Sequence, residues 1–140
     1  MNNNNSDILK AWWLLYGTFI FFPIIAGIDK FFNYLADWSI YLNPSLPLYL
    51  NISVGTFMYM LGIIEILIGL LVLIKPKLGG YAIMALLLII SVNLISMQSH
   101  YHEGYAHVMT HYDLALHDIA LFISAYVFVI LSKKLGKESI

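Results

Sequence analysis

Four long apolar runs, separated by short polar segments, make up most of the chain. A helix needs about 20 apolar residues to cross roughly 30 Å of hydrocarbon, and each run is long enough. The first covers 11–31 and opens on Trp12 and Trp13, aromatic residues suited to the boundary between head groups and acyl chains. Pro23 lies inside it and predicts a kink that neighbouring helices can absorb. The second covers 53–74 and stops at Lys75-Pro76-Lys77; the third covers 80–98, after Gly79-Gly80. The fourth covers 112–132 and stops at Lys133-Lys134. The pattern predicts an all-α membrane protein, a four-transmembrane-helix bundle.

The segments between the runs are less regular. Residues 1–10 form an Asn-rich polar stretch expected to be disordered, and 133–140 a basic tail. The start lacks the positive charge and small-residue cleavage site of a signal peptide, and the first run is long enough to remain in the membrane. Residues 32–52 are rich in Trp, Tyr, Leu and Pro, with Asn33-Tyr34-Leu35-Ala36-Asp37-Trp38 followed by Asn43-Pro44-Ser45-Leu46-Pro47. This segment is expected to lie on the membrane surface between helices 1 and 2 as an interfacial helix and a turn.

Lysine placement predicts orientation. Lys10 precedes the first span, Lys75 and Lys77 separate the second and third, and Lys133, Lys134 and Lys137 follow the fourth. These places share one side of a four-span protein, and only Lys30 falls on the other. The positive-inside rule then puts both termini in the cytoplasm. The expected location is a bacterial cytoplasmic (inner) membrane, with the chain crossing it several times.

Composition narrows the chemistry. The chain is 61% hydrophobic and 11% charged, whereas a soluble domain carries about a quarter charged residues, which leaves the lipid bilayer as the solvent for most of the surface. A net charge of -1 supplies no basic stripe for nucleic acid. Cysteine is absent, which removes disulfides, thiol nucleophiles and iron–sulfur ligation. Any redox role must therefore come through a quinone, a haem, a metal ion or a partner subunit. All basic residues are lysine, so no bidentate guanidinium clamp exists.

Ionisable groups inside a span cost on the order of 2.5 kcal/mol or more unless paired or hydrated, which makes each a functional candidate. Glu65 lies near the middle of the second span, on a stripe with Gly55, Gly62 and Gly69, and is expected to face the bundle. It could serve there as a protonated, hydrogen-bonded acid or as a proton-handling or ligand-binding group. In the fourth span Asp113 and His117 are one turn apart on a face continued by Ala120 and Ser124, with Asp118 adjacent. Asp29 and Lys30 at the end of the first span and Asn93 in the third lie at a similar depth. Together they are expected to line a polar pocket open to the outside, or else to form a network that only fixes helix register.

The run from His100 through His102, Glu103 and His107 to His111 is a candidate metal site, because His107 and His111 have the i,i+4 spacing that puts two imidazoles on one helix face. A haem is the weaker alternative, because His117 is the only histidine within a span and its axial partner would have to come from this loop.

Several of these residues together resemble the DoxX-like family of small four-helix bacterial membrane proteins, which includes the DoxD-type small subunit of thiosulfate:quinone oxidoreductase. The resemblance is carried by Ala26-Gly27-Ile28-Asp29-Lys30-Phe31-Phe32, Asp37-Trp38, Tyr41-Leu42-Asn43-Pro44 and Gly62-Ile63-Ile64-Glu65-Ile66 with Gly69 and Leu73. It continues in Lys75-Pro76-Lys77-Leu78-Gly79 and in Tyr112-Asp113-Leu114-Ala115-Leu116-His117-Asp118-Ile119-Ala120-Leu121. His117 departs from the pattern, which often has arginine there, and the histidine-rich loop is not a general family feature. The resemblance implies an accessory or structural subunit of a membrane redox or respiratory complex, with other membrane subunits as partners and a quinone-accessible pocket near the outer leaflet. A metal- or haem-binding protein and a small proton-coupled transporter centred on Glu65 are the alternatives. With no thiol nucleophile, nucleotide-binding loop or recognisable carboxylate pair, the chain does not read as an independent enzyme.

Overall fold

The computed structural model of the protein describes residues 3–97 and 111–138. Every described element is helical: α1 Asn3–Phe32, a 3-10 turn Trp38–Tyr41, α2 Ser45–Tyr49, α3 Val54–Ile74, α4 Pro76–Met97 and α5 His111–Glu138. Four of these, α1, α3, α4 and α5, are long and apolar enough to cross a membrane, and the shortest has 21 residues or roughly 32 Å of rise. Leu14, Phe22 and Ile74 are each more than 70% exposed, a surface that is stable against acyl chains and not against water. The protein is a multi-pass membrane protein with a four-helix bundle.

Helix ends correct three expected boundaries. The stretch 1–10 was expected to be disordered, yet α1 begins at Asn3. Lys10 Nζ meets Asp7 Oδ1 at 3.1 Å one turn away, and the long apolar helix that follows carries the nucleation cost of its polar first turns. α4 starts at Pro76 instead of residue 80, because proline needs no hydrogen-bond partner at the first helical position. Lys75 alone separates α3 from α4, its amide closing onto Leu71 O at 2.8 Å. At the other terminus the expected basic tail is helical to Glu138, and Lys133 lies over the Tyr81 ring. α1 continues through Pro23.

The segment 33–53 forms a strap across one end of the bundle, opposite the end that holds the termini and the α3–α4 turn. Asn33 and Asn51, both in the left-handed region, terminate α1 and α2. The segment holds the 3-10 turn Trp38–Tyr41 and the short helix α2. Residues 33–37 are irregular, and the helical turn forms at 45–49, where prolines in the first turn cost no hydrogen bond.

Packing depends on missing side chains where α1 meets α3 and where α4 meets α5. Gly27 of α1 faces Gly62 of α3 so closely that a methyl group on Gly62 would lie 2.6 Å from Gly27 O. Gly69 meets Ile20 and Ile24 of α1 in the same way, whereas Gly55, expected on the same stripe, is exposed. Gly80 of α4 lies against Phe128 and Val129 of α5. Towards the termini a cluster of Phe19, Ile20, Val72, Ile83, Ala125 and Phe128 fills the bundle. Its edge is polar but satisfied: Trp12 Nε1 donates to Ser132 Oγ at 2.8 Å and Tyr16 to Leu73 O at 2.9 Å.

Candidate functional site

The strap end holds the candidate site. α1 and α3 run antiparallel, and side chains lean toward the N-terminus of their own helix. Lys30, near the end of α1, therefore leans down into the bundle, and Glu65, near the middle of α3, leans up toward it. Gly62 leaves room between them, since a methyl group there would lie 3.2 Å from Lys30 Cβ. Lys30 Nζ reaches Glu65 Oε2 at 2.7 Å, and each side chain is about 5% exposed. The acid expected to face the bundle does so, but as half of an ion pair.

Trp38 roofs this pair. Lys30 Nζ lies 3.9 Å from the centroid of the indole ring, a cation–π contact in a dry setting. The ring is held in turn by Asp29, whose Oδ2 accepts from Trp38 Nε1 at 2.7 Å. Asp29 Oδ1 accepts from the amides of Tyr34 and Leu35 at 2.9 and 3.0 Å, so the carboxylate also fixes the turn that starts the strap. Adjacent residues on a helix point about 100° apart. Asp29 and Lys30 consequently serve different partners, and Trp38 joins them into one chain: Asp29, Trp38, Lys30, Glu65. Reading single spans for ionisable groups passed over Trp38 as a site residue, because an indole outside the spans carries no such signal.

The other expected pocket residues separate from this chain. Asn93 of α4 ties down the strap: its Oδ1 accepts from Asn43 N at 2.9 Å and its Nδ2 donates to Tyr41 O at 2.6 Å. Asn43 Nδ2 donates to Ser96 Oγ at 2.9 Å. On α5, Asp113 and His117 are exposed. His117 Nδ1 bonds the backbone carbonyl of Asp113 at 2.6 Å and not its carboxylate. The expected inward-facing carboxylate–imidazole pair is thus replaced by two outward side chains, because the inward stripe of α5 runs through Ala115 and Ala125. Asp118, one residue on, is half-buried. One common pocket open to the outside does not form among these residues.

The histidine run cannot be placed with them. His100, His102 and His107 lie outside the described residues, and His111 begins α5 with its side chain also outside them. Among the described residues no group of three or more potential ligands could hold a metal ion.

Beside the Asp29 end of the chain, a groove of about 270 Å³ is lined by Ile25, Ile28, Asp29, Phe32, Tyr34 and Leu35. Its walls are apolar apart from Asp29, and Ile25, Ile28 and Phe32 belong to the lipid-facing side of α1. Compared with known family models, curated proteins and solved structures, the chain matches none.

Proposed function

We propose that this protein is an accessory subunit of a bacterial membrane redox complex, with its termini in the cytoplasm and its strap at the outer surface. The observation that carries the reading is the chain of contacts from Asp29 through Trp38 and Lys30 to Glu65. These four residues come from three of the separate sequence segments that resemble the DoxX-like family, and here they meet in one place. A buried ion pair adds little stability over well-packed apolar side chains, so a pair kept inside a membrane bundle suits a role beyond folding.

The groove beside Asp29 fits a quinone in character. It opens toward lipid, where a membrane-soluble quinone diffuses, and its apolar wall suits a ring and an isoprenoid tail. Asp29, held by three N–H donors, offers a fixed acceptor to a hydroquinone hydroxyl. With no cysteine for a cluster or a dithiol, electrons would reach the quinone through a partner subunit, a haem or a metal ion.

Extraction from native membranes in mild detergent tests this reading. Larger redox subunits and bound quinone should co-purify with the chain. Migration of the chain alone, without quinone, overturns it.

A further inference from the structure

The end of the bundle that holds the termini is charged very differently from the strap end. Lys75 links α3 to α4, Lys77 lies in the first turn of α4, and Lys133 and Lys134 lie near the end of α5. All four are exposed, and none takes part in an ion pair among the described residues. Lys10, at the same end, is paired with Asp7.

Two of these lysines converge on one aromatic ring. Lys77 and Tyr81 are one turn apart on α4 and so face the same way. Gly80 seats α4 against Phe128 and Val129 of α5, which brings Lys133 alongside. Side chains lean toward the N-terminus of their own helix, so Lys133 reaches back along the bundle, and its Nζ lies 5.3 Å from the centroid of the Tyr81 ring. Tyr81 is 41% exposed, and its hydroxyl has no hydrogen-bond partner among the described residues. Two ammonium groups and a phenol O–H thus offer donors to one phosphate, which accepts readily from charged donors.

The surface next to these donors decides the occupant. The face of Tyr81 continues along α4 through Ala85 and Leu88, and the face of Lys133 continues along α5 through Ile130 and Tyr126. All four are exposed, and in a membrane bundle they meet acyl chains. An occupant that matches both parts has an anionic group at one end and apolar chains at the other. A soluble anion or an acidic protein segment matches the lysines and leaves the apolar face uncovered.

We propose that Lys77, Tyr81 and Lys133 form a binding site for the head group of an anionic phospholipid in the leaflet next to the termini. The acyl chains lie along the α4–α5 seam, both lysines face the phosphate, and Tyr81 Oη donates to it. A zwitterionic lipid brings the same phosphate but also a cation of its own, which Lys75 and Lys134 repel. The site depends neither on the redox reading nor on which side of the membrane the termini face.

Native mass spectrometry tests the site on the full chain, released from vesicles of phosphatidylglycerol and phosphatidylcholine in equal parts with matched acyl chains. The wild-type chain should retain phosphatidylglycerol in preference to phosphatidylcholine. One lysine near an anionic lipid surface is worth about fivefold in binding, so Lys77→Gln combined with Lys133→Gln should lower the preference roughly 25-fold. Lys10→Gln combined with Lys134→Gln removes the same charge away from Tyr81 and should keep most of the preference. Tyr81→Phe should fall between the two. All of these side chains are exposed, and circular dichroism checks that each variant is folded. Inorganic phosphate should not displace the lipid, because it gains nothing from the apolar seam. Three results overturn the proposal: a folded wild-type chain that leaves the vesicles without lipid, alone or as a dimer; equal losses in the two double variants, the mark of diffuse charge attraction; or displacement by inorganic phosphate, the mark of a site for a soluble anion.

Discussion

Lys30 and Glu65 are 35 residues apart in the chain, yet their charged groups meet at 2.7 Å inside the bundle. The contact exists because α1 and α3 approach at Gly27 and Gly62 and because both side chains lean toward the same level. Removing one partner leaves the other as an uncompensated buried charge. Lys30→Met or Glu65→Leu should each destabilise the protein by about 3–5 kcal/mol. The double variant should recover most of that loss. Reversible unfolding in detergent, arranged as a double-mutant cycle, measures the coupling; additive losses would show that the pair does not act as a unit.

Trp38 holds two contacts that substitutions can separate. Trp38→Phe keeps an aromatic face over Lys30 but loses the Nε1–H bond to Asp29, whereas Trp38→Leu loses both. The phenylalanine variant should lose about 1.5–3 kcal/mol, the range for a hydrogen bond to a charged group, and the leucine variant about 1 kcal/mol more. An amine-reactive reagent should modify Lys30 faster in Trp38→Leu than in wild type. Equal rates would mean that the indole does not shield the ammonium.

The glycine positions are not equivalent. A methyl group at Gly62 would press on Gly27 O at 2.6 Å, while at Gly55 its nearest neighbour is Ser53 Oγ at 4.0 Å. Gly62→Ala should cost about 1–3 kcal/mol by forcing α1 and α3 apart, and should loosen the Lys30–Glu65 contact. Gly55→Ala should be neutral or stabilising by up to about 1 kcal/mol, since alanine restricts the unfolded chain. Unfolding of the two variants side by side gives the comparison.

Asn93 accepts from one strap amide and donates to one strap carbonyl. Asn93→Ala should leave the helices intact while releasing the strap from α4. Hydrogen exchange should accelerate at Asn43 more than at α3 amides such as Ile66. A uniform acceleration would indicate global destabilisation instead.

The absence of cysteine allows a clean test of orientation. In intact cells a membrane-impermeant maleimide should label Tyr49→Cys, on the strap, and leave Lys134→Cys unlabelled until the membrane is opened. The reverse pattern would invert the topology.

The four spans were legible in the sequence because a bilayer imposes one requirement, about 20 apolar residues in succession, that local composition alone records. The inward direction of Glu65 was legible too, since Gly62 and Gly69 mark the side of α3 that a second backbone can approach. Which polar groups meet depended on helix pairing and register, and these follow from steric fit between distant glycines and large side chains. Lys30 therefore found Glu65, and a tryptophan from the strap closed over them. Asp113 and His117 turned outward, because Ala115 and Ala125 set the inward stripe of α5. One turn of spacing specifies that two residues share a face; only the packed bundle specifies what that face meets.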